Sequence, residues 1–354
     1  MFGPVAAKII PPQLIGHDPE YIHAQSKRHQ RPDVQGCRVA FMVLQILDVS
    51  SAGYLAHSSS GSDKRGTRDM QIGIIGCGNM GGGMAARLLS NDCAVTCYDP
   101  DTKTVEKMQL LGANIASSLS GLAKASDVII LSLPRASVVE AVMQEMLPDI
   151  RVGAIVLDAS TSEPAMSQTM SALGDSHGFS FVDGPVSGGP AAAQAGTMTM
   201  LLGGPSTAIE TLRPVLDVLT TKTVTVGGSG AGHAAKIANN MLCAANLVLV
   251  GEAIRLGKAA GVAPQDLLEG INAGSGRSGV SEVNFPKWVL NDAFDSGFTM
   301  GLMRKDVGLA VDLAKASGVD INGFSCIADI WLNGSGNVPD DADFNEIIKA
   351  GKDV

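Results

Sequence analysis

The residues Gly76-x-Gly78-x-x-Gly81 stand between an apolar run, Ile72-Gly73-Ile74-Ile75, and a segment of helical character. Glycines at this spacing permit a tight turn, close backbone approach to a pyrophosphate, and close packing of helix on strand. Amides at the helix N-terminus then hold the phosphates. The cradle would consist of Gly76, Cys77, Gly78, Asn79, Met80 and Gly81, and the chemistry it predicts is dinucleotide binding. A second strand, Ala94-Val95-Thr96-Cys97-Tyr98, ends in Asp99, about where a ribose-binding carboxylate is expected. A carboxylate there accepts from ribose hydroxyls and repels a 2′-phosphate, which favours NAD over NADP. The other reading of Asp99 is a turn residue in Asp-Pro-Asp.

Further polar residues stand out against apolar surroundings. Lys236 and Asn240 are four residues apart in a proline-free apolar stretch over 233–261, so they share one helix face. A buried ammonium is costly, so Lys236 needs a partner or a chemical task unless its stem lies along the helix and its head reaches solvent. Ser187, Gly188 and Gly189 lie in Asp183-Gly184-Pro185-Val186-Ser187-Gly188-Gly189-Pro190, at the carboxyl edge of a strand. A hydroxyl beside unshielded amides suits a carboxylate or phosphate, and an ordinary turn is the alternative. Arg277 in a glycine-rich segment and Lys305 beside Asp306 read singly as surface charges.

The elements that must position these residues alternate from Met70 onward. Strands are expected at 72–75, 95–98, 128–133, 154–157, 179–182, 198–202 and 224–226, with helices between them at 79–89, 136–147 and 163–173. This is the pattern of a doubly wound, mostly parallel sheet, an α/β Rossmann domain over 70–230. Past Gly230 the strands stop. An all-α domain over 231–354 is expected, begun by the long interdomain helix and broken at Pro264, 274–279, Pro286 and 297–301. Residues 1–69 lack this rhythm and form an N-terminal extension, either disordered or an extension of the reading frame ahead of Met70.

Composition narrows the function classes. The 354 residues suffice for two domains or so, and 45% hydrophobic residues with 42 glycines suit a tightly packed α/β protein. A net charge of −9 offers no electrostatic basis for nucleic-acid binding. Six cysteines, at 37, 77, 93, 97, 243 and 326, form no C-x-x-C pair or metal-finger spacing; they read as small hydrophobes in a reducing compartment, with no metal site. Apolar runs such as 39–47 fall short of the ~20 residues of a membrane span, so a soluble protein is expected. A mitochondrial presequence would be basic and poor in acids, whereas residues 1–69 carry Asp18, Glu20, Asp33, Asp48, Asp63 and Asp69; a cytoplasmic location is expected over the mitochondrial matrix.

Four blocks in order, GCGNMGGGMAARL, VDGPVSGGPAAAQAGTM, GAGHAAKIANNM and GLMRKDVGLA, resemble the cofactor, substrate-loop, catalytic-helix and nicotinamide-closing motifs of the β-hydroxyacid dehydrogenase family. The resemblance covers roughly residues 70–335. It implies Lys236 as the catalytic residue, Asn240 as its substrate-orienting neighbour, and Ser187, Gly188 and Gly189 as the substrate anchor. It places Lys305 on the cofactor side, with Leu133, Pro134 and Thr161 in loops that border the cofactor. Lysine suits the role because alcohol oxidation by hydride transfer needs a group that takes the hydroxyl proton. Arg277 falls in a region that varies within the family and could grip a carboxylate or stay solvated. Cys77 replaces the usual leucine and Gly184 the usual alanine, changes of packing alone. The family implies NAD-dependent oxidation of a short, anionic β-hydroxy acid by a homo-dimer or homo-tetramer. An NADPH-dependent semialdehyde reductase and a non-catalytic dinucleotide-binding protein are the alternatives.

Overall fold

A computed structural model gives the fold over residues 69–350. The expectations for residues 1–68 and for the last four residues lie outside the described residues.

Nine strands form one sheet: β1 (Gln71–Ile75), β2 (Ala94–Tyr98), β3 (Asn114–Ile115), β4 (Val128–Leu131), β5 (Ile155–Asp158), β6 (Ser180–Asp183), β7 (Val186–Ser187), β8 (Met198–Gly203) and β9 (Thr220–Gly227). Their order is β3-β2-β1-β4-β5-β6-β8-β7, with β9 also paired to β8. The run from β3 to β6 is parallel, β8 is antiparallel to β6 and β7, and β9 is parallel to β8. Chain order reverses between β1 and β4, and the carboxyl ends of those two strands therefore border the crevice where doubly wound sheets bind ligands.

Burial explains why the inner strands read so clearly. All four residues of β4 and all four of β5 are buried, because helices cover both faces of the sheet. One apolar layer joins Ile72, Ile74, Met84 and Leu88 to Leu212, Leu216 and Leu219; the other joins Ile75, Leu122, Ile129 and Leu131 to Val139, Met143 and Phe181. The sheet's edge was harder to read. β9 is eight residues long, five more than expected, because its threonine-rich sequence lies mostly exposed and lacks an apolar run. β7 and β3, two residues each, give no periodic signal.

The helix Ala231–Ala259 opens the helical half. By length and composition it could cross a bilayer, which corrects the reading that every apolar segment is too short. His233, Lys236 and Asn240 interrupt its apolar runs and are themselves buried in the protein, where the helix packs beside the core of Phe285, Met300, Val307, Phe324 and Trp331. Pro286 does not end a helix as expected: it lies within the π-helical segment Val280–Val289. In i→i+5 geometry residue 286 would donate to the Ser281 carbonyl, and proline cannot. Asn272 Nδ2 supplies that bond instead, at 3.1 Å. Gly301 likewise falls inside a helix, Met300–Ala316, whose first turn is capped by the Thr299 hydroxyl.

Candidate active site

The glycine turn after β1 has the geometry its spacing implies. Gly76 adopts φ +86°, and a Cβ on Gly81 would lie 1.9 Å from the Gly76 carbonyl oxygen. Neither position accepts a side chain without opening the turn. A Cβ on Gly78, by contrast, would meet nothing within 4 Å. The helix Asn79–Leu89 begins there without a side-chain cap, leaving its N-terminal dipole and amides available to a phosphate. These features fit a dinucleotide.

Asp99 follows β2 and acts on the turn directly. Its Oδ2 accepts from the Cys77 main-chain N–H at 2.7 Å and its Oδ1 from that of Asp101 at 2.9 Å. Both sequence readings are thus compatible, since each oxygen keeps a lone pair for a ribose hydroxyl. The Cys77 side chain is buried; its thiol donates weakly to the Ile74 and Tyr98 carbonyls, and the neighbouring Cys97 thiol together with burial raises its pKa, so it stays a neutral packing group. Leu133 and Pro134 follow β4, on the other side of the crevice. The Leu133 N–H donates to Ser160 Oγ at 2.9 Å, which ties this loop to the one after β5.

The second cluster lies where the helices meet the strand ends. Lys236 is buried, and its Nζ donates to Ser187 Oγ at 3.0 Å. Burial lowers its pKa below the usual lysine range; Lys305 adds to the effect and Asp306 opposes it. Such an amine can exchange a proton near neutral pH more readily than an exposed lysine. Asn240 donates through Nδ2 to Asp306 Oδ2 at 2.5 Å and accepts at Oδ1 from Asn239. Lys305 lies 3.4 Å from Asp306 Oδ1 and donates to the Thr161 carbonyl at 3.1 Å. Gly188 and Gly189 both have positive φ, +125° and +70°, so the chain turns sharply beside Ser187.

The structure therefore pairs Lys236 with Ser187 and links Asn240, through Asp306, to Lys305 and Thr161, with Lys236 and Asn240 one turn apart on the same helix. It leaves Arg277 apart: that side chain is 63% exposed and faces Glu282 at 3.7 Å. Sequence reasoning passed over four buried groups. Asp306 holds Asn240. Asp183, at the end of β6, accepts the main-chain N–H groups of Gly230 and His233 at 2.7 and 3.0 Å and so caps the long helix from another element. Asp158 and His233 complete the set, each fully buried. The signal available for all four was a polar residue at an apolar strand end or on an apolar helix.

A glycine cradle at the switch point of a parallel sheet, followed by a helical half that carries a buried lysine, defines a nicotinamide dinucleotide-dependent dehydrogenase. Residues 71–228 match the NAD binding domain of 6-phosphogluconate dehydrogenase, and residues 230–350 match the NAD-binding region of NADP-dependent 3-hydroxyisobutyrate dehydrogenase. The chain is 34% identical over 285 residues to the 2-(hydroxymethyl)glutarate dehydrogenase of Eubacterium barkeri, covering 80% of this chain and 95% of that one. It is 35% identical over 257 residues to the NAD-dependent L-serine dehydrogenase of Pseudomonas aeruginosa, covering 70% and 86%. Among solved structures it resembles Mycobacterium tuberculosis 3-hydroxyisobutyrate dehydrogenase with L-serine, at 32% identity and a TM-score of 0.75, covering 79% and 98%. The chain belongs to the 3-hydroxyisobutyrate dehydrogenase family of hydroxy-acid dehydrogenases, and both of its matched regions are NAD-binding.

Proposed function

We propose that the protein oxidises a short β-hydroxy acid to the corresponding semialdehyde, with Lys236 as the general acid/base. The observation that carries this reading is the Lys236 ammonium, buried, lowered in pKa and bonded to Ser187. The substrates named for the relatives share one unit, a hydroxymethyl group on the carbon that bears a carboxylate, and differ only in the third substituent of that carbon. Ser187, Gly188 and Gly189 would receive the carboxylate, and Asn240, fixed by Asp306, would orient the hydroxyl. Neutral Lys236 takes the hydroxyl proton at Nζ as the alcohol is oxidised, and its ammonium returns it in the reverse direction. Gly76 to Gly81, Asp99, Leu133, Pro134, Thr161 and Lys305 would hold NAD, which would supply the hydride acceptor. Arg277 remains a candidate for a substrate carboxylate only if its loop moves. A panel of 3-hydroxyisobutyrate, L-serine, 2-(hydroxymethyl)glutarate and a 2-hydroxy acid, read by NADH absorbance, tests the substrate class. Turnover of the 2-hydroxy acid in preference to the other three contradicts it.

Asp99, at the end of β2 and bonded to the cradle through the Cys77 N–H, supports NAD over NADP because its carboxylate would repel a 2′-phosphate. Asp99→Ala is expected to weaken NAD by roughly ten- to hundredfold, since bonds to a charged group are worth about 1.5–3 kcal/mol, and to narrow the gap to NADP. Titrating both dinucleotides checks it; unaltered NAD affinity would reduce Asp99 to a turn residue. Asn240→Ala is expected to raise the substrate KM by roughly tenfold, the loss of one such bond, with a smaller effect on kcat. Steady-state kinetics that reverse this order would remove Asn240 from the substrate site.

Leu242, Leu249 and Leu256 recur every seven residues on the long helix and are 59%, 51% and 75% exposed. An apolar stripe at that spacing supports a homo-dimer or homo-tetramer formed through the helical half. Light scattering checks the assembly. A cytoplasmic location and a domain division at Gly230 belong to the same reading.

A further inference from the structure

The fully buried side chain of His233 forms no hydrogen bond to Lys236 or to the glycine cradle, yet it joins the helix that carries Lys236 to the loop after β5. Its Nε2 lies 3.1 Å from the Ser160 carbonyl oxygen, which can only accept, so Nε2 bears the hydrogen. Its Nδ1 then accepts from the Ser167 hydroxyl at 2.7 Å, on the helix Pro164–His177. Its main-chain N–H is held by Asp183. Lys236 follows one turn later on the same helix.

Ser160, the residue His233 grips, is itself a junction. Its N–H donates to Asp158 Oδ1 at 3.0 Å, and its hydroxyl receives the Leu133 N–H of the loop after β4. The carbonyl of the next residue, Thr161, receives Lys305. The loop after β5 is thus bonded to the cofactor side of the crevice, to the helix that carries Lys305 and, through His233, to the helix that carries Lys236. Asp158 and Asp183, paired across β5 and β6, are the titratable groups facing the ring, and Asp158 Oδ2 lies 3.8 Å from Nε2 without a hydrogen-bond partner. His233 is fully buried, so bulk solvent does not reach it to replace a lost bond.

Building on the proposed role of Lys236, we propose that His233 is a positioning residue, whose ring fixes the distance and angle of Lys236 relative to the cofactor crevice. The ring acts as a bridge between Ser160 and Ser167 and takes no part in proton transfer to or from the substrate. Leucine at 233 would keep most of the volume and lose both bonds, letting the first turns of the long helix shift against the Ser160 loop. Misplacement of reacting groups on the ångström scale can cost up to ~10²-fold in rate.

The test compares His233→Leu, His233→Gln and Lys236→Ala with 3-hydroxyisobutyrate and NAD. His233→Leu is expected to lower kcat by about tenfold, within that range, while the KM and the NAD dissociation constant change little. His233→Gln, whose amide can donate to Ser160 and accept from Ser167, is expected to restore kcat to near the wild-type value. Because a positioning residue moves no proton in the reaction, the pH profile of that variant should match the wild type. Wild-type kcat in His233→Leu, or equally low kcat in both variants, overturns the positioning role. If His233→Leu does not fold, Ser167→Ala decides: a severalfold loss of kcat at unchanged KM supports the role, and unchanged kcat overturns it. Near-normal turnover in Lys236→Ala would sink the proposed mechanism and this inference together, whereas an inactive Lys236→Ala beside a fully active His233→Leu sinks this inference alone.

Discussion

Lys236→Ala is expected to fold, to bind NAD with wild-type affinity, and to lose at least ~10²-fold in kcat, the range of general acid/base catalysis. Folding should survive because the side chain forms one hydrogen bond, to Ser187, and its burial as an ammonium is a cost that alanine removes. NAD binding should survive because the glycine cradle and Asp99 belong to β1, β2 and the helix Asn79–Leu89, none of which Lys236 contacts through a hydrogen bond. Circular dichroism and NAD titration separate these terms from turnover. A variant with near-normal kcat would show that another group moves the proton.

Gly81→Ala should do the opposite, sparing Lys236 and abolishing cofactor binding. The added methyl would sit 1.9 Å from the Gly76 carbonyl oxygen and 3.1 Å from Ser132 Cβ, two residues that directly follow β1 and β4 and are held by main-chain bonds from Gly76 N–H to Tyr98 and from Ser132 N–H to Ile75. The turn must open or the helix must lift from the strand. Overpacking of this kind costs about 1–3 kcal/mol of stability, and the phosphate-facing amides move with the helix. NAD affinity is expected to fall by ~10²-fold or more, since 1.4 kcal/mol is already tenfold. Gly78→Ala separates the two effects: its Cβ enters open space in the protein, so it should leave stability unchanged and affect only NAD binding. Wild-type NAD affinity in Gly81→Ala would mean that the turn tolerates what its geometry forbids.

The contrast between these two sites reflects what a single sequence discloses. The cradle is local: strand, three glycines and helix follow within eleven residues, and β1, β4 and β5 read as apolar runs because both sheet faces are covered. Lys236 and Asn240 were also legible, as polar residues one helical turn apart in an apolar segment. Their surroundings were not. Asn240 meets Asp306 across 66 positions, and His233 meets Ser160 across 73. No periodicity encodes such pairings; only the packing of helix ends on strand ends creates them. Asp183 read as the start of a glycine-rich loop, while its carboxylate caps a helix that begins 48 residues later. Pro286 read as a stop because the donor that replaces its missing N–H, Asn272, lies outside its own segment.

The role of Lys236 is tested most directly by the pH dependence of kcat in both directions, in the wild type and in Lys236→Ala. Oxidation needs the neutral amine, so its rate should rise with pH through the pKa of Lys236, which burial and Lys305 set below the usual lysine range. Reduction needs the ammonium, so its rate should fall through the same region. In Lys236→Ala both limbs should vanish and leave a slow, flat residual rate. Limbs that persist at the same pH in the variant would contradict proton transfer by Lys236.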